Sequence, residues 1–252
     1  MTGGALHAGF EPAFLVLGAI VFFSYTTQAI TGFGSTVVAL ALGAQIFSIP
    51  ELLPVLVALN IPLCLYFVLR HRDKIAQSLL FREILPWMSI GVCAGALLLV
   101  SLPVPALKPG LGALIVLFSL REGVRLVRKR ETSVMSAPVF RFWTGAAGIT
   151  HGLYASGGPL LVYAVSRKNL DTSVFRATMM SVWLFFNVFL LALYFYDGKW
   201  THESERAVLF LLPLIPAGIY AGELLHHRIP VRGFWILVQL VLFLSGVSFL
   251  IR

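Results

Sequence analysis

Seven runs of mainly apolar residues, at roughly 12–31, 51–69, 84–102, 106–124, 174–196, 205–225 and 233–251, each approach the length of about 20 residues that a helix needs to cross a bilayer. One soluble core cannot hide that many. Only 12% of the 252 residues are charged, against roughly 25% in an average soluble protein, so the chain cannot cover a water-facing surface. The expectation is an all-α integral membrane protein, and cytosolic enzymes and nucleic-acid binders drop out. A formal charge of +8 would otherwise point to nucleic acid; here it is accounted for by loops held at one membrane face. Cys64 and Cys93 lie inside apolar runs as small hydrophobes, without the spacing of a bridge or a metal pair. No Lys or Arg precedes the first apolar run, so that run is expected to stay rather than be cleaved as a signal peptide.

Two further apolar pieces are interrupted. Residues 35–48 follow the break Thr31-Gly32-Phe33-Gly34-Ser35, and residues 138–166 are broken across His151-Gly152-Leu153-Tyr154-Ala155-Ser156-Gly157-Gly158-Pro159. Such breaks free backbone groups that lipid cannot satisfy, so they must be buried in protein or line a wet cavity. Each is read as a broken hairpin, re-entrant or fully spanning. Fifteen of the nineteen Lys and Arg fall in 70–83, 121–141, 167–176 and 226–232. By the positive-inside bias these loops are cytoplasmic, which puts both termini outside.

A shift of 127 residues aligns Asn60 with Asn187, Pro86 with Pro213, Gly91 with Gly218, Gly95 with Gly222 and Pro103 with Pro230. A shift of 124 places Gly34 on Gly158. The chain therefore reads as a first repeat over 1–124, a basic cytoplasmic linker over 125–137 and a second repeat over 138–252. A hairpin returns to its starting face while three spans cross, so the second repeat starts on the opposite side. Inverted repeats holding a ligand between discontinuous helices are a recurrent transporter plan.

An anion at the bilayer midplane needs stabilisation without an isolated buried cation, and helix N-termini supply it through free N–H groups and about half a positive charge each. Candidate binding residues are Thr31, Gly32, Gly34, Ser35 and Thr36 at the first break, and His151, Tyr154, Ser156, Gly157 and Gly158 at the second. Asn60 and Asn187 stand at matched depth on the following helices. The two Asn read equally well as helix-to-helix hydrogen bonds, and the hydroxyls equally as local caps. Gln28, in the polar run Ser24-Tyr25-Thr26-Thr27-Gln28, is placed at the cavity. His151 is a candidate for proton coupling, with a permanently neutral, hydrogen-bonded His as the competing reading. Arg176 either steers anions inward or snorkels to headgroups, and Glu223 is read as linked to His226 and His227. Gly91-x-x-x-Gly95 and Gly218-x-x-x-Gly222 are assigned to close helix packing, between halves or between protomers.

The duplicated glycine-rich breaks TGFGSTVVAL and GLYASGGPLLVYAV, with Arg176-Ala177-Thr178 opening the next helix, resemble the TauE/SafE family of sulfite and organosulfonate exporters over residues 12 to 250. Ser35-Thr36 stands where the family commonly has a longer glycine run, and His151 and Tyr154 also depart from its pattern. The resemblance implies a bacterial inner-membrane permease for small sulfur-containing anions such as sulfite or sulfoacetate. The expected partners are a small anionic substrate and the lipid bilayer, with no nucleic acid; a homo-oligomer is left open. No cofactor, metal or catalytic residue is expected, because there is no nucleotide-binding loop, no Gly-x-Ser-x-Gly and no paired intramembrane acids. A passive anion channel of the same fold is the alternative, and an intramembrane enzyme using His151 and Ser156 a remoter one.

Overall fold

The computed structural model describes residues 12–128, 135–226 and 231–251, and all regular structure among them is helical. The helices are α1 (Pro12–Thr31), α2 (Ser35–Gly43), α3 (Ile49–Arg70), α4 (Leu85–Ser101), α5 (Val104–Arg128), α6 (Ala137–Tyr154), α7 (Gly158–Val165), α8 (Thr172–Tyr196), α9 (His202–Leu211), α10 (Leu214–His226) and α11 (Val231–Ile251). Five helical segments among the described residues are long and apolar enough to cross a membrane, and the bent pair α9–α10 makes a sixth. At 1.5 Å per residue α2 and α7 reach only ~12–14 Å, less than half of a hydrocarbon core. Both expected breaks are therefore real, and each leaves a half-length helix.

The run read as one span over 205–225 is corrected: α9 and α10 meet at an angle of 41°. Pro213 sits at the joint, where its ring and missing N–H interrupt the helical ladder. Its repeat partner Pro86 also follows an irregular stretch, a wide π-helical turn over Leu79–Ile84 that leads into α4. The basic linker is shorter than expected, since α5 runs to Arg128 and α6 starts at Ala137; residues 129–134 lie outside the described residues.

The most extensive helix pairings are α4 with α6, α5 with α11, α3 with α8 and α1 with α10. Exchanging α1, α3, α4 and α5 for α6, α8, α10 and α11 maps this set onto itself. Glycines set the closest approaches. A Cβ on Gly91 would lie 2.1 Å from the Gly145 carbonyl, and one on Gly95 2.2 Å from the Ile149 carbonyl. From the other side, a Cβ on Gly148 would lie 2.3 Å from the Met88 carbonyl, so α4 and α6 touch backbone to backbone. Gly218 and Gly222 face Phe22, Thr26 and Ala29 of α1 in the same way but less tightly. Both small-residue pairs thus join the two halves of one chain, a choice the sequence left open.

Helices α3 and α8 cross antiparallel. The backbone N–H of Ala76, just beyond α3, meets Thr178 near the start of α8, Cys64 meets Met180, and Asn60 meets Asn187 further along. The two asparagines matched by the repeat are in direct contact.

Candidate functional site

Helix α1 stops because Gly32 and Gly34 take left-handed backbone, with φ of 88° and 101°. The exposed polar groups of the break are handled locally. The Thr31 hydroxyl lies 2.8 Å from the Thr27 carbonyl and 2.7 Å from that of Phe33, and it accepts the Phe33 N–H at 3.3 Å. Helix α2 then starts at Ser35 and is buried along almost its whole length. In the second half, Ala155 closes α6 in the left-handed region at φ 48°, a strained position for a residue with a Cβ. Gly157 brings the chain back so tightly that a Cβ there would lie 2.4 Å from the Ala147 carbonyl. Helix α7 starts at Gly158 with Pro159 in its first turn, where the missing N–H costs nothing.

The two half-helix starts open onto one cavity of about 20 Å³. Its lining includes Gly34 and Thr36 from the first break, Ser156 and Gly158 from the second, and Asn60 and Asn187 from α3 and α8. His151, Gln28, Val37, Ala155 and Trp183 complete it. No side chain in this lining is an acid, a lysine or an arginine. The remaining candidates stand behind the wall. Thr31 caps its own break, and the Gly32 carbonyl accepts the Trp183 indole N–H at 3.1 Å. Ser35 is bonded to Gln28 and Asn60, and Gly157 backs onto α6. Tyr154 directs its hydroxyl at Gly110 of α5, where a Cβ would come within 2.6 Å.

A chain of amides links the halves. Gln28 Oε1 accepts the Ser35 backbone N–H at 3.2 Å, the Ser35 hydroxyl, and Asn60 Nδ2 at 3.0 Å. Asn60 Oδ1 accepts from Asn187 Nδ2 at 2.8 Å and from the Cys64 thiol at 2.9 Å. Gln28 Nε2 points to Cys64 and Met180 sulfur, each at 3.5 Å. The His151 ring stacks on Trp183 with centroids 5.6 Å apart, and its Nδ1 faces the Gly157 N–H at 3.5 Å. Three deeply buried lining atoms keep no protein partner: His151 Nε2, Ser156 Oγ and Asn187 Oδ1. Since His151 Nε2 and Ser156 Oγ are both unpartnered, the hydrogen bond that would activate Ser156 as a nucleophile is not made.

Arg176, Met180, Trp183 and Asn187 follow one another at helical spacing along one face of α8, a rise of ~16 Å from first to last. At the Arg176 end lies a second, wider cavity of about 630 Å³ lined by Arg70, His71, Lys74, Arg176 and Glu223 among others. The Arg176 guanidinium sits 4.2 Å from the Phe67 ring centre, His71 stacks on the other residues of that aromatic stretch with centroids 6.1 Å from Phe67, and the Arg176 Cα packs against Gly32. Among the described residues no ion pair involves Arg70, Lys74 or Arg176. His71 is held below the usual imidazole range by partial burial first, then by Arg176, Lys74 and Arg70, with Asp73 opposing them. Glu223 lines this vestibule; its expected link to His226 and His227 involves side chains outside those described.

Sequence reasoning missed Trp183, Val37 and Ala155 in the lining, and Cys64 and Met180 behind it. The α8 stripe carries a signal for Trp183, since it stands four residues before Asn187 on the same helical face. Nothing in the sequence singles out the others.

Apolar spans in sufficient number, joined around two interrupted helices and a buried polar cavity, define a multi-pass membrane transporter. No curated protein and no solved structure matches the chain. The family described as Sulfite exporter TauE/SafE matches residues 17–249, and the chain belongs to that family.

Proposed function

We propose that the protein is a secondary transporter that carries small sulfur oxyanions or organosulfonates, sulfite-like in size, out across a bacterial inner membrane by alternating access. The observation that carries this reading is the cavity itself. Two half-helices, one from each half of the chain, begin at a single enclosed space whose unpartnered groups are polar and whose lining holds no charged acid or base other than an imidazole. Each helix start contributes about half a positive charge and several free N–H groups, which suits an anion that must later leave. A fixed arginine there would hold it too tightly and would itself be costly at mid-membrane.

The halves are taken as inverted copies, with both termini periplasmic and the linker cytoplasmic. Antiparallel packing of α3 on α8, with Asn60 against Asn187, supports this, because equivalent helices related by an axis in the membrane plane run in opposite directions. A cavity with room for about one water-sized group is closed to an anion, so the walls must part to load it. The paired breaks supply places for that movement. Export needs no nucleotide, since a potential negative inside drives an anion outward by about 2.3 kcal/mol per charge per 100 mV.

The test is counterflow in proteoliposomes with radiolabelled sulfite, competed by thiosulfate, sulfoacetate, taurine and acetate. Saturable exchange competed best by the sulfur anions is expected. Flux that does not saturate and shows no counterflow identifies a channel, and taurine outcompeting every anion overturns the site. The vestibule gives a second prediction. Arg70→Gln with Lys74→Gln should raise KM several-fold for substrate presented at that face in low salt. The difference should shrink near 1 M salt, where screening acts over about 3 Å. An unchanged KM at low salt would show that the basic mouth does not collect substrate.

A further inference from the structure

We infer that the cage takes its anion as a protonated monoanion, one that carries an acidic O–H beside its oxyanion oxygens, as hydrogen sulfite does and as sulfite and sulfate do not. The inference rests on the transporter reading of this cavity and adds the ionisation state of what it binds.

The orientation of the amides carries it. A backbone N–H can only donate, so the Ser35 N–H fixes Oε1 as the Gln28 atom facing it, at 3.2 Å. The atom of Asn60 that meets Gln28 Oε1 at 3.0 Å must then be Nδ2, which turns Asn60 Oδ1 the other way, toward the Cys64 thiol and Asn187. Facing that oxygen at 2.8 Å, Asn187 must present Nδ2. Asn187 Oδ1 is left on the cavity side, buried and without a partner. The usual ambiguity of amide orientation is removed along the whole relay, because it starts from a group that cannot be flipped.

The same logic applies to His151. With Nδ1 facing the Gly157 N–H at 3.5 Å, the hydrogen of the neutral ring sits on Nε2, which is also buried and unpartnered. The cavity therefore offers donors, from His151 Nε2–H, the Ser156 hydroxyl and the two helix starts, together with one committed acceptor. A fully deprotonated anion has only lone pairs to set against Asn187 Oδ1, and the two oxygens would repel. An anion with one remaining acidic hydrogen satisfies both kinds of group at once. Charge points the same way: two helix starts at about half a positive charge each balance a single negative charge. A dianion would stay half uncompensated in a site with no cationic side chain in its lining.

The titratable groups packed around Asn187 are His151 of α6 on the cavity, Cys64 of α3 and Tyr25 of α1 behind Asn60, and Tyr194 two turns further along α8. A control must separate their protons from the substrate's. Methanesulfonate serves, since it is a monoanion at every working pH and carries no acidic hydrogen.

The experiment measures initial rates of radiolabelled sulfite uptake by wild-type proteoliposomes from pH 5.5 to 8.5, corrected for protein-free vesicles, with methanesulfonate and sulfate as competitors. Above the second ionisation of sulfurous acid, KM in total sulfite should rise close to tenfold per pH unit, while KM in hydrogen sulfite stays constant. Inhibition by methanesulfonate should be weaker than by hydrogen sulfite and independent of pH, and sulfate should not compete. Asn187→Leu should reduce the preference for hydrogen sulfite over methanesulfonate from about tenfold toward unity, one lost hydrogen bond to a charged ligand. Saturable uptake with a KM in total sulfite that is flat or falls as pH rises overturns the inference and leaves the transporter reading standing. A methanesulfonate inhibition constant that tracks the sulfite curve assigns the pH dependence to the protein and overturns it as well. Absence of saturable uptake of any sulfur anion at every pH overturns the transporter reading itself. Should Asn187→Leu fail to fold, the wild-type pH series decides alone.

Discussion

Gly91→Leu will yield little folded protein, whereas Gly218→Ala, at the position matched to it by the repeat, will melt close to wild type. The two sites occupy equivalent places in the α4–α6 and α1–α10 contacts, yet their surroundings differ. At Gly91 even a Cβ would lie 2.1 Å from the Gly145 carbonyl and 2.9 Å from the Gly148 Cα, and backbone cannot swing aside as a side chain can. At Gly218 the nearest atoms to a Cβ are the Thr26 N at 3.4 Å and the Phe22 carbonyl at 3.5 Å, ordinary contact. Leucine at 91 must force the halves apart along much of α4, at a cost on the order of 3 kcal/mol or more. Thermal unfolding of both detergent-purified variants, followed by size-exclusion recovery, checks this. Equal melting temperatures would show that the α4–α6 contact is not the tight seam described.

Asn60→Leu is the second large effect: it should lower transport thirty- to a hundredfold while leaving expression near normal. Asn60 is the middle link between Gln28 and Asn187, so its loss strands Asn187 Nδ2 and removes a donor from both Gln28 Oε1 and Ser35 Oγ. Unsatisfied buried groups cost about 1–3 kcal/mol each, and tenfold in affinity is about 1.4 kcal/mol. That strain falls on the α2 start and on the oxygen offered to the ligand rather than on the helix seams, which is why folding survives. Cys64→Ala is the contrasting control, since a thiol is a weak donor to Asn60 Oδ1; transport should stay within about twofold. Counterflow rates normalised to reconstituted protein decide between them. Equal losses in the two variants would remove the special role of the amide relay.

The breaks, the paired asparagines and the glycine pairs were legible because each departs from what a lipid-facing helix uses. Glycines beside hydroxyls inside an apolar run mark freed backbone, and Asn60 and Asn187 stand out as amides among Leu, Val and Phe. Trp183, Val37 and Ala155 were not legible, since an apolar side chain lining a cavity has the same sequence context as one facing another helix. The bend at Pro213 was missed for a related reason. A proline inside a span either kinks it or is accommodated: α3 continues through Pro54 and Pro62, and α9–α10 breaks at Pro213, so the outcome depends on the packing of neighbouring helices.

Residue chemistry along the chain determined on its own that this is a membrane protein of apolar helices with two interrupted hairpins in two related halves, because transfer into lipid is decided residue by residue. Tertiary structure alone decided that both helix starts share one cavity, that the glycine pairs join the halves within one chain, and that Asn187 turns its oxygen toward the ligand space. Those are properties of pairs far apart in sequence, such as Gly91 with Gly145 or Ser35 with Gln28, Asn60 and then Asn187. A sequence pattern records what each residue can donate, accept or bury, and only packing decides which partner it meets.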